Sequence, residues 1–323
     1  MDKEYVLITG ATGFIGAQVT EKILSEGLYT VIAIVRKDNN YKNVERLKNK
    51  GVILIPGCFY DRQLLEEIFA KFSIRFVMHC AAVRGGGKGS QELYQTVNVS
   101  GTRVLLEVSV SHGVKKLIFC SSVGVFGTVP QKLPAGLNTC LNGDNAYHNS
   151  KIMAEKEVER FISRGLDAYI VRPTITYGAD DTGFPMTLVN LVKKKRLWMP
   201  FKDIKIHLLD VESLAALFSS ILVSPVRVKR VFIAADKTAV SFREMVDLIH
   251  AHFYHKPYPR FFRLPGVFFR VMLFFFRLAR NEKWASRILL ISSNWYYDIK
   301  DTVEALNFKP SITQETFIKR MGI

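Results

Sequence analysis

Through its first half the chain alternates short apolar runs with stretches of helical period. Tyr5–Ile8, Tyr29–Val35, Val52–Ile55, Phe76–His79 and Lys116–Phe119 are mostly apolar, too short for helices and bounded by polar or glycine-containing turns. Runs of that length and composition predict buried strands. Between them Gly16–Ser25, Arg62–Lys71 and Asn98–Ser111 carry apolar residues at helical spacing. Strands that alternate with helices predict a parallel sheet with right-handed crossovers. A helix over Tyr147–Arg160 and a strand over Ala168–Arg172 continue the rhythm, which then loosens. Asp210–Leu222 and Ser241–His252 read as isolated helices, and a soft boundary falls near residue 178.

The turn after the first strand reads Thr9-Gly10-Ala11-Thr12-Gly13-Phe14-Ile15-Gly16. A strand, a glycine turn and a helix in that order form a cradle for a dinucleotide. Gly10 permits the tight turn, Gly13 lets backbone approach a pyrophosphate, and Gly16 allows close helix–strand packing. The helix N-terminus adds free N–H groups and partial positive charge, so Thr12, Phe14 and Ile15 belong to the expected cofactor contact with the three glycines. The predicted fold is therefore α/β: a Rossmann doubly wound parallel sheet over 1–178, with a smaller, mostly helical C-terminal substrate lobe over 179–323. The second strand ends in Arg36-Lys37 without an acid. A carboxylate there bonds a ribose 2′-OH, whereas a guanidinium pairs with a 2′-phosphate. The expected cofactor is NADP(H), with NAD(H) as the alternative; Asp38, two positions on, argues for the latter.

Tyr147 and Lys151 stand at i and i+4, on one face of the helix predicted there. A nearby cation favours a phenolate, so Tyr147 is a candidate proton donor to a carbonyl oxygen and a base in reverse. Upstream, Leu117-Ile118-Phe119-Cys120-Ser121-Ser122 is a strand ending in two hydroxyls. The carboxyl end of a strand in such a sheet faces the ligand crevice, so Ser122 is a candidate to orient the reacting oxygen.

These pieces together resemble the extended short-chain dehydrogenase/reductase family. The resemblance runs over nearly the whole chain. It rests on the glycine turn, His79-Cys80-Ala81-Ala82, Asn98-Val99-x-Gly101-Thr102, Ser121-Ser122 with Val125-Phe126-Gly127, Tyr147-x-x-x-Lys151 with Glu155, and Val171-Arg172-Pro173 before Tyr177-Gly178. Near the end, Tyr297-Asp298 and Leu306-Asn307-Phe308-Lys309-Pro310 are similar to the family's closing segment. The resemblance implies catalysis by Ser122, Tyr147 and Lys151. Lys151 would lower the phenol's pKa and hold the nicotinamide ribose, Asn98 would support the fourth helix, and Ala81 would lie beside the cofactor. Two departures stand out. Gly57 is followed by Cys58 and Phe59 where many members carry an acid, with Asp61 three positions late, and Phe126 replaces the usual tyrosine.

Substrate class is less sharply written. Pro173-Thr174-Ile175-Thr176-Tyr177-Gly178 lacks the asparagine frequent in sugar-nucleotide enzymes, and with Arg36 it points to a reductase or dehydrogenase acting on a hydrophobic, steroid- or lipid-like substrate. The alternatives are an epimerase or dehydratase on a nucleotide- or lipid-linked sugar with tightly bound NAD, and a non-catalytic cofactor-binding protein. The formal net charge is +16: residues 1–160 carry 20 Lys and Arg against 15 Asp and Glu, and residues 161–323 carry 25 against 14. Such a balance favours an anionic partner. The segment 261–280 holds most of the interest, with Arg263, Arg270 and Arg277 seven apart among phenylalanines. It is too short and too charged to span a bilayer. It reads either as a core helix with an arginine-lined solvent face or as a contact with an anionic membrane surface. Lys193-Lys194-Lys195-Arg196 reads as a solvated face or membrane rim, and no nucleic-acid partner is expected. The histidines show no metal spacing, a homodimer is possible, and four cysteines without a C-x-x-C pair fit a reducing compartment. Met1-Asp2-Lys3-Glu4 leads directly into the first strand, which predicts a cytoplasmic location, with peripheral membrane association as the variant.

Overall fold

The computed structural model describes residues 4–36, 41–85, 89–225 and 229–323. The chain runs β1 (Glu4–Thr9), α1 (Phe14–Ser25), β2 (Tyr29–Val35), α2 (Tyr41–Asn49), β3 (Ile53–Pro56), α3 (Arg62–Lys71) and β4 (Ile74–His79). A single turn, α4 (Gln91–Leu93), leads through a π-helical stretch at Tyr94–Ser100 into α5 (Gly101–Ser111). Then come β5 (Lys116–Cys120), α6 (Ala146–Ile162), β6 (Ala168–Pro173) and β7 (Ile175–Tyr177). The sheet order is β11-β6-β5-β4-β1-β2-β3, where β11 is a later strand at Val231–Ala234, and every pairing is parallel. Strands buried on both faces have no polar side to show, which is why they appear in the sequence as unbroken apolar runs.

Order reverses between β1 and β4, so the crevice beyond their carboxyl ends is the switch point where such sheets bind ligands. One face of the sheet is covered by α1 and α8 (Val211–Val223). Val19 and Ile23 of α1 join Leu217 and Ile221 of α8 in one buried cluster. The other face is covered by α3, α5 and α6, through Leu65, Leu105 and Val158. Each such side chain contributes roughly 1.5–3 kcal/mol of hydrophobic stabilisation.

The strands and helices expected from the pattern are present with shifted ends. Helix α1 begins at Phe14 rather than Gly16, because Gly13 takes extended backbone as its N-cap. The seventh strand, β11, follows the soft boundary at 178 and returns the chain to the sheet beside β6. The remaining elements gather around a second apolar cluster: α7 (Phe184–Lys193), α9 (Phe242–Tyr254), α12 (Lys300–Leu306) and α13 (Thr313–Met321), with short ribbons. Strand β8 (Met199–Pro200) pairs with β13 (Arg263–Leu264), β9 (Lys205–Ile206) with β12 (Val240–Ser241), and β10 (Leu208–Asp210) with β7. The segment expected as one helix over 261–280 is the β13 strand followed by α10 (Gly266–Leu278), which packs on α11 (Glu282–Ser292).

Candidate active site

The glycine turn is built as its residue types require. Gly10 has φ +74°, and a side chain there would meet the Ala81 nitrogen at 2.7 Å. At Gly16 a Cβ would lie 2.1 Å from the Gly10 carbonyl oxygen, so only glycine lets α1 start this close to β1. The Gly13 N–H donates to that same oxygen at 2.9 Å. No side chain caps α1 and no acid stands in its first turn, which leaves the N–H groups around Phe14 and Ile15 facing the crevice end. The Thr12 carbonyl accepts from Asn43 Nδ2 of α2 at 2.9 Å, a tie that the sequence pattern did not signal. Arg36 is exposed at the carboxyl end of β2. Lys37 and Asp38 lie outside the described residues. Asp61 does not stand in for the missing acid: its carboxylate caps α3 by accepting from the Leu64 N–H at 3.2 Å.

Behind the turn runs a buried polar chain. Thr102 Oγ1 donates to the Asn98 carbonyl at 2.7 Å, so it accepts from His79 Nε2 at 2.9 Å. His79 Nδ1 then accepts from Thr9 Oγ1 at 2.7 Å, and Thr9 accepts the Ala81 N–H at 3.2 Å. This donor order assigns His79 as the neutral Nε2–H tautomer. Burial, helped by the Lys151 charge, pushes its pKa down to about 3. The chain locks β1, β4 and the loop carrying Ala81 into one rigid floor. The polar residue ending β1 and the histidine ending β4 were its only signals in the sequence.

Asn98, in the π-helical stretch, holds the loop beyond Ala81. Its side chain accepts the Val83 N–H at 2.8 Å and donates to the Val83 carbonyl at 3.0 Å and to Ser150 Oγ at 2.9 Å. Ser150 lies between Tyr147 and Lys151 on α6, so Asn98 ties the β4 loop to the helix bearing both. Local π geometry often marks functional positions.

Ser122, Tyr147 and Lys151 meet at the carboxyl end of β5. The Ser122 hydroxyl lies within hydrogen-bonding reach of the Tyr147 phenol, and it also accepts from the Gly124 N–H at 3.0 Å. Ser121 points elsewhere, donating to buried Glu155, which Arg172 grips through Nε at 3.0 Å and Nη2 at 2.6 Å. Lys151 is buried. Its ammonium donates to the Cys120 carbonyl at 2.8 Å and sits 4.8 Å from the Phe119 ring centre. Burial lowers its pKa, against the raising influence of Cys120, Cys80 and Glu155.

One electrostatic expectation is corrected here. Tyr147 is not lowered: burial raises its phenol above the ordinary value, with the Cys120 thiol adding to the rise. The Ser122 hydrogen bond and the Arg84 guanidinium pull the other way. The Lys151 ammonium is turned to the Cys120 carbonyl instead. Arg84, Gly85 and Gly89, on either side of three residues outside the described ones, lie close to the site. A Cβ at Gly85 would sit 3.0 Å from the Tyr147 ring, and one at Gly89 would sit 2.7 Å from the ring of Tyr94. Tyr94 and Tyr147 have ring centres 6.1 Å apart. Tyr94 was not singled out by the sequence pattern, since an aromatic on a helix is common.

A parallel sheet with a glycine-lined helix start and a tyrosine–lysine helix at its switch point defines the class: an extended short-chain dehydrogenase/reductase. The assignment can be made finer. Residues 6–217 match the NAD dependent epimerase/dehydratase family, and the chain belongs to it. It is 28% identical over 212 residues to UDP-glucose 4-epimerase GEPI48 of Cyamopsis tetragonoloba, a match covering 60% of each protein. The chain thus spans well under two thirds of that relative's length. Among solved structures it superposes on the crystal structure of gox2253 with a TM-score of 0.79 and 22% identity, covering 98% of this chain and 97% of that one. The UDP-glucuronic acid 4-epimerase of Bacillus cereus in complex with NAD gives a TM-score of 0.78 at 17% identity, with 98% and 97% covered. At those identities the likeness shows the fold.

Proposed function

We propose that this protein is a sugar epimerase that keeps NAD bound and inverts a ring carbon of a nucleotide-linked sugar, with the 4-position of a UDP-sugar as the first candidate. The observation that carries the reading is the meeting of Ser122, Tyr147 and Lys151 at the switch point, within residues 6–217 that match the NAD dependent epimerase/dehydratase family. The reductase expected for apolar carbonyls finds no support among these relatives, and the epimerase alternative replaces it.

The residues present fit a dinucleotide. The Gly10–Gly16 backbone would receive the pyrophosphate, Arg36 would meet the adenosine end, Ala81 would flank the cofactor, and Lys151 would hold the nicotinamide ribose. When bound, NAD supplies a hydride acceptor and donor. Tyr147 moves the proton: it takes one from the sugar hydroxyl as the alcohol becomes a ketone, and returns it as the ketone is reduced on its other face. Ser122 orients that oxygen. The raised phenol pKa makes Tyr147 a competent donor in the second half of the cycle. In the first half, Ser122 and Arg84 oppose in part the burial that disfavours its ionisation. Arg36 remains a reason to test NADP(H), because a guanidinium favours a 2′-phosphate.

The reading is tested by incubating the purified chain with UDP-glucose or UDP-galactose without added cofactor. Formation of the 4-epimer at constant nicotinamide absorbance is expected, and mass spectrometry of the released nucleotide identifies NAD or NADP. Turnover of an apolar ketone with stoichiometric NADPH consumption, and no epimer from any UDP-sugar, would overturn it.

A further inference from the structure

Helix α10 inverts the polarity of an ordinary surface helix. Of its 13 residues only Phe269 is buried. Phe269, Leu273 and Phe276 recur at i, i+4 and i+7 and face inward, with Phe276 stacked on Trp284 of α11 at 5.9 Å. On the other side Val267, Val271, Phe274 and Leu278 recur at i, i+4, i+7 and i+11, one stripe of the helix. A surface helix normally turns polar residues outward. Here Phe274 is 63% exposed, its neighbour Phe275 59% and Leu278 71%. Arg270 and Arg277 flank the stripe one heptad apart, both exposed. The β8–β13 ribbon extends the apolar surface through Phe201 and Phe261. Large apolar side chains exposed side by side mark an interaction surface.

Charge selects the occupant. Residues 256–287 carry eight Lys and Arg against one acid, Glu282, a net of +7. A second copy of this chain in a two-fold contact would bring the same charge to the same place, which opposes association. A lipid surface rich in anionic headgroups supplies both what the arginines and what the phenylalanines need. Thirteen residues of helix reach about 20 Å, short of the ~30 Å hydrocarbon core. Among the described residues no helix is long and apolar enough to cross a membrane. The geometry of an apolar stripe with arginines at its edge is that of a helix lying in the interface, its arginines reaching back to the headgroups.

We propose that the α10–α11 hairpin, with the β8–β13 ribbon, docks this protein onto an anionic lipid surface. The proposal is independent of the sugar chemistry and its test uses no substrate. The full chain is sedimented with vesicles of phosphatidylcholine containing phosphatidylglycerol, and with vesicles of phosphatidylcholine alone, at low and high salt. The wild-type protein is expected to pellet with anionic vesicles, to be released by salt, and to stay in solution with neutral ones. The pair Arg270→Glu and Arg277→Glu should weaken binding by about tenfold or more, since each basic residue near such a surface adds to the attraction. The pair Phe274→Ser and Phe275→Ser should weaken it as well, with the thermal midpoint unchanged because both side chains already face solvent. Wild-type protein remaining in solution with anionic vesicles at low salt would overturn the proposal. So would equal binding to neutral vesicles, or a dimer by light scattering that the phenylalanine pair converts to monomer.

Discussion

In the proposed reaction Tyr147 carries the chemistry, and its surroundings show why a motif alone does not give its electrostatics. The spacing to Lys151 suggests a phenol drawn down by an ammonium. In the fold the ammonium binds the Cys120 carbonyl, and burial moves the phenol upward. Nothing in the spacing records which carbonyl lies nearest the lysine. The Tyr147→Phe protein should lose about 10²–10⁴ in turnover while retaining its nucleotide; steady-state rates and the ultraviolet spectrum of the purified protein check both. Histidine burial sets a second expectation. His79 is held down to about 3 and His207 to about 4, both by burial, against an ordinary 6.5. The unfolded chain therefore binds more protons below about pH 6.5, and stability falls as pH is lowered from there. Asp236, raised by burial to about 6 from 3.8, runs in the opposite sense over part of the same range. Two histidines outweigh one carboxyl. Denaturant unfolding should give a stability loss of up to about 1.4 kcal/mol per pH unit for the uncompensated proton. His79→Gln should flatten that slope; equal stability at about pH 5 and about pH 7 in the wild-type protein would contradict the assignment.

At the scale of elements, the parallel strands were readable because strands buried on both faces appear as continuous apolar runs. The glycine turn was readable because each glycine answers a geometric demand. Gly16→Ala places a methyl group 2.1 Å from the Gly10 oxygen, so the turn must open. The variant is expected to purify without nucleotide, as read by its absorbance spectrum, and with a lowered thermal midpoint. The pairing of Glu155 with Arg172 was visible only as a motif, since partners 17 residues apart on different elements have no local signature. Both side chains are nearly wholly buried. Arg172→Met leaves a buried carboxylate without its cation, and a loss of about 3–5 kcal/mol is expected in urea unfolding. Strand β11 escaped the pattern because its four residues follow a long excursion, and only pairing with β6 makes them a strand. The segment 261–280 stood out in the sequence, but whether its apolar face is covered was open there: apolar periodicity says that a face will be covered, and does not say by what.

Over the whole molecule the two halves differ in how much the relatives inform them. The family match ends at residue 217, within α8, and so covers six of the seven strands of the main sheet but only part of the segment after residue 178. The excess positive charge lies mostly in that lobe, as does the exposed hairpin. Fold class and cofactor cradle were thus legible from residue types alone, whereas the choice between reductase and epimerase depended on a few substitutions near Tyr177. The Tyr177 hydroxyl itself donates to buried Asp236 at 2.8 Å and serves the packing of the C-terminal segment.

The central claim is that a hydride leaves the sugar and returns to the same carbon through a cofactor that never dissociates, with Tyr147 moving the proton. It is tested most directly with UDP-glucose deuterated at the sugar's 4-position, incubated with the purified protein and no added nucleotide, the product being followed by proton NMR. The account predicts UDP-galactose with the deuterium kept at that carbon, and none with Tyr147→Phe on the same timescale. Loss of the label to solvent, or accumulation of reduced nicotinamide in step with substrate consumed, would contradict it.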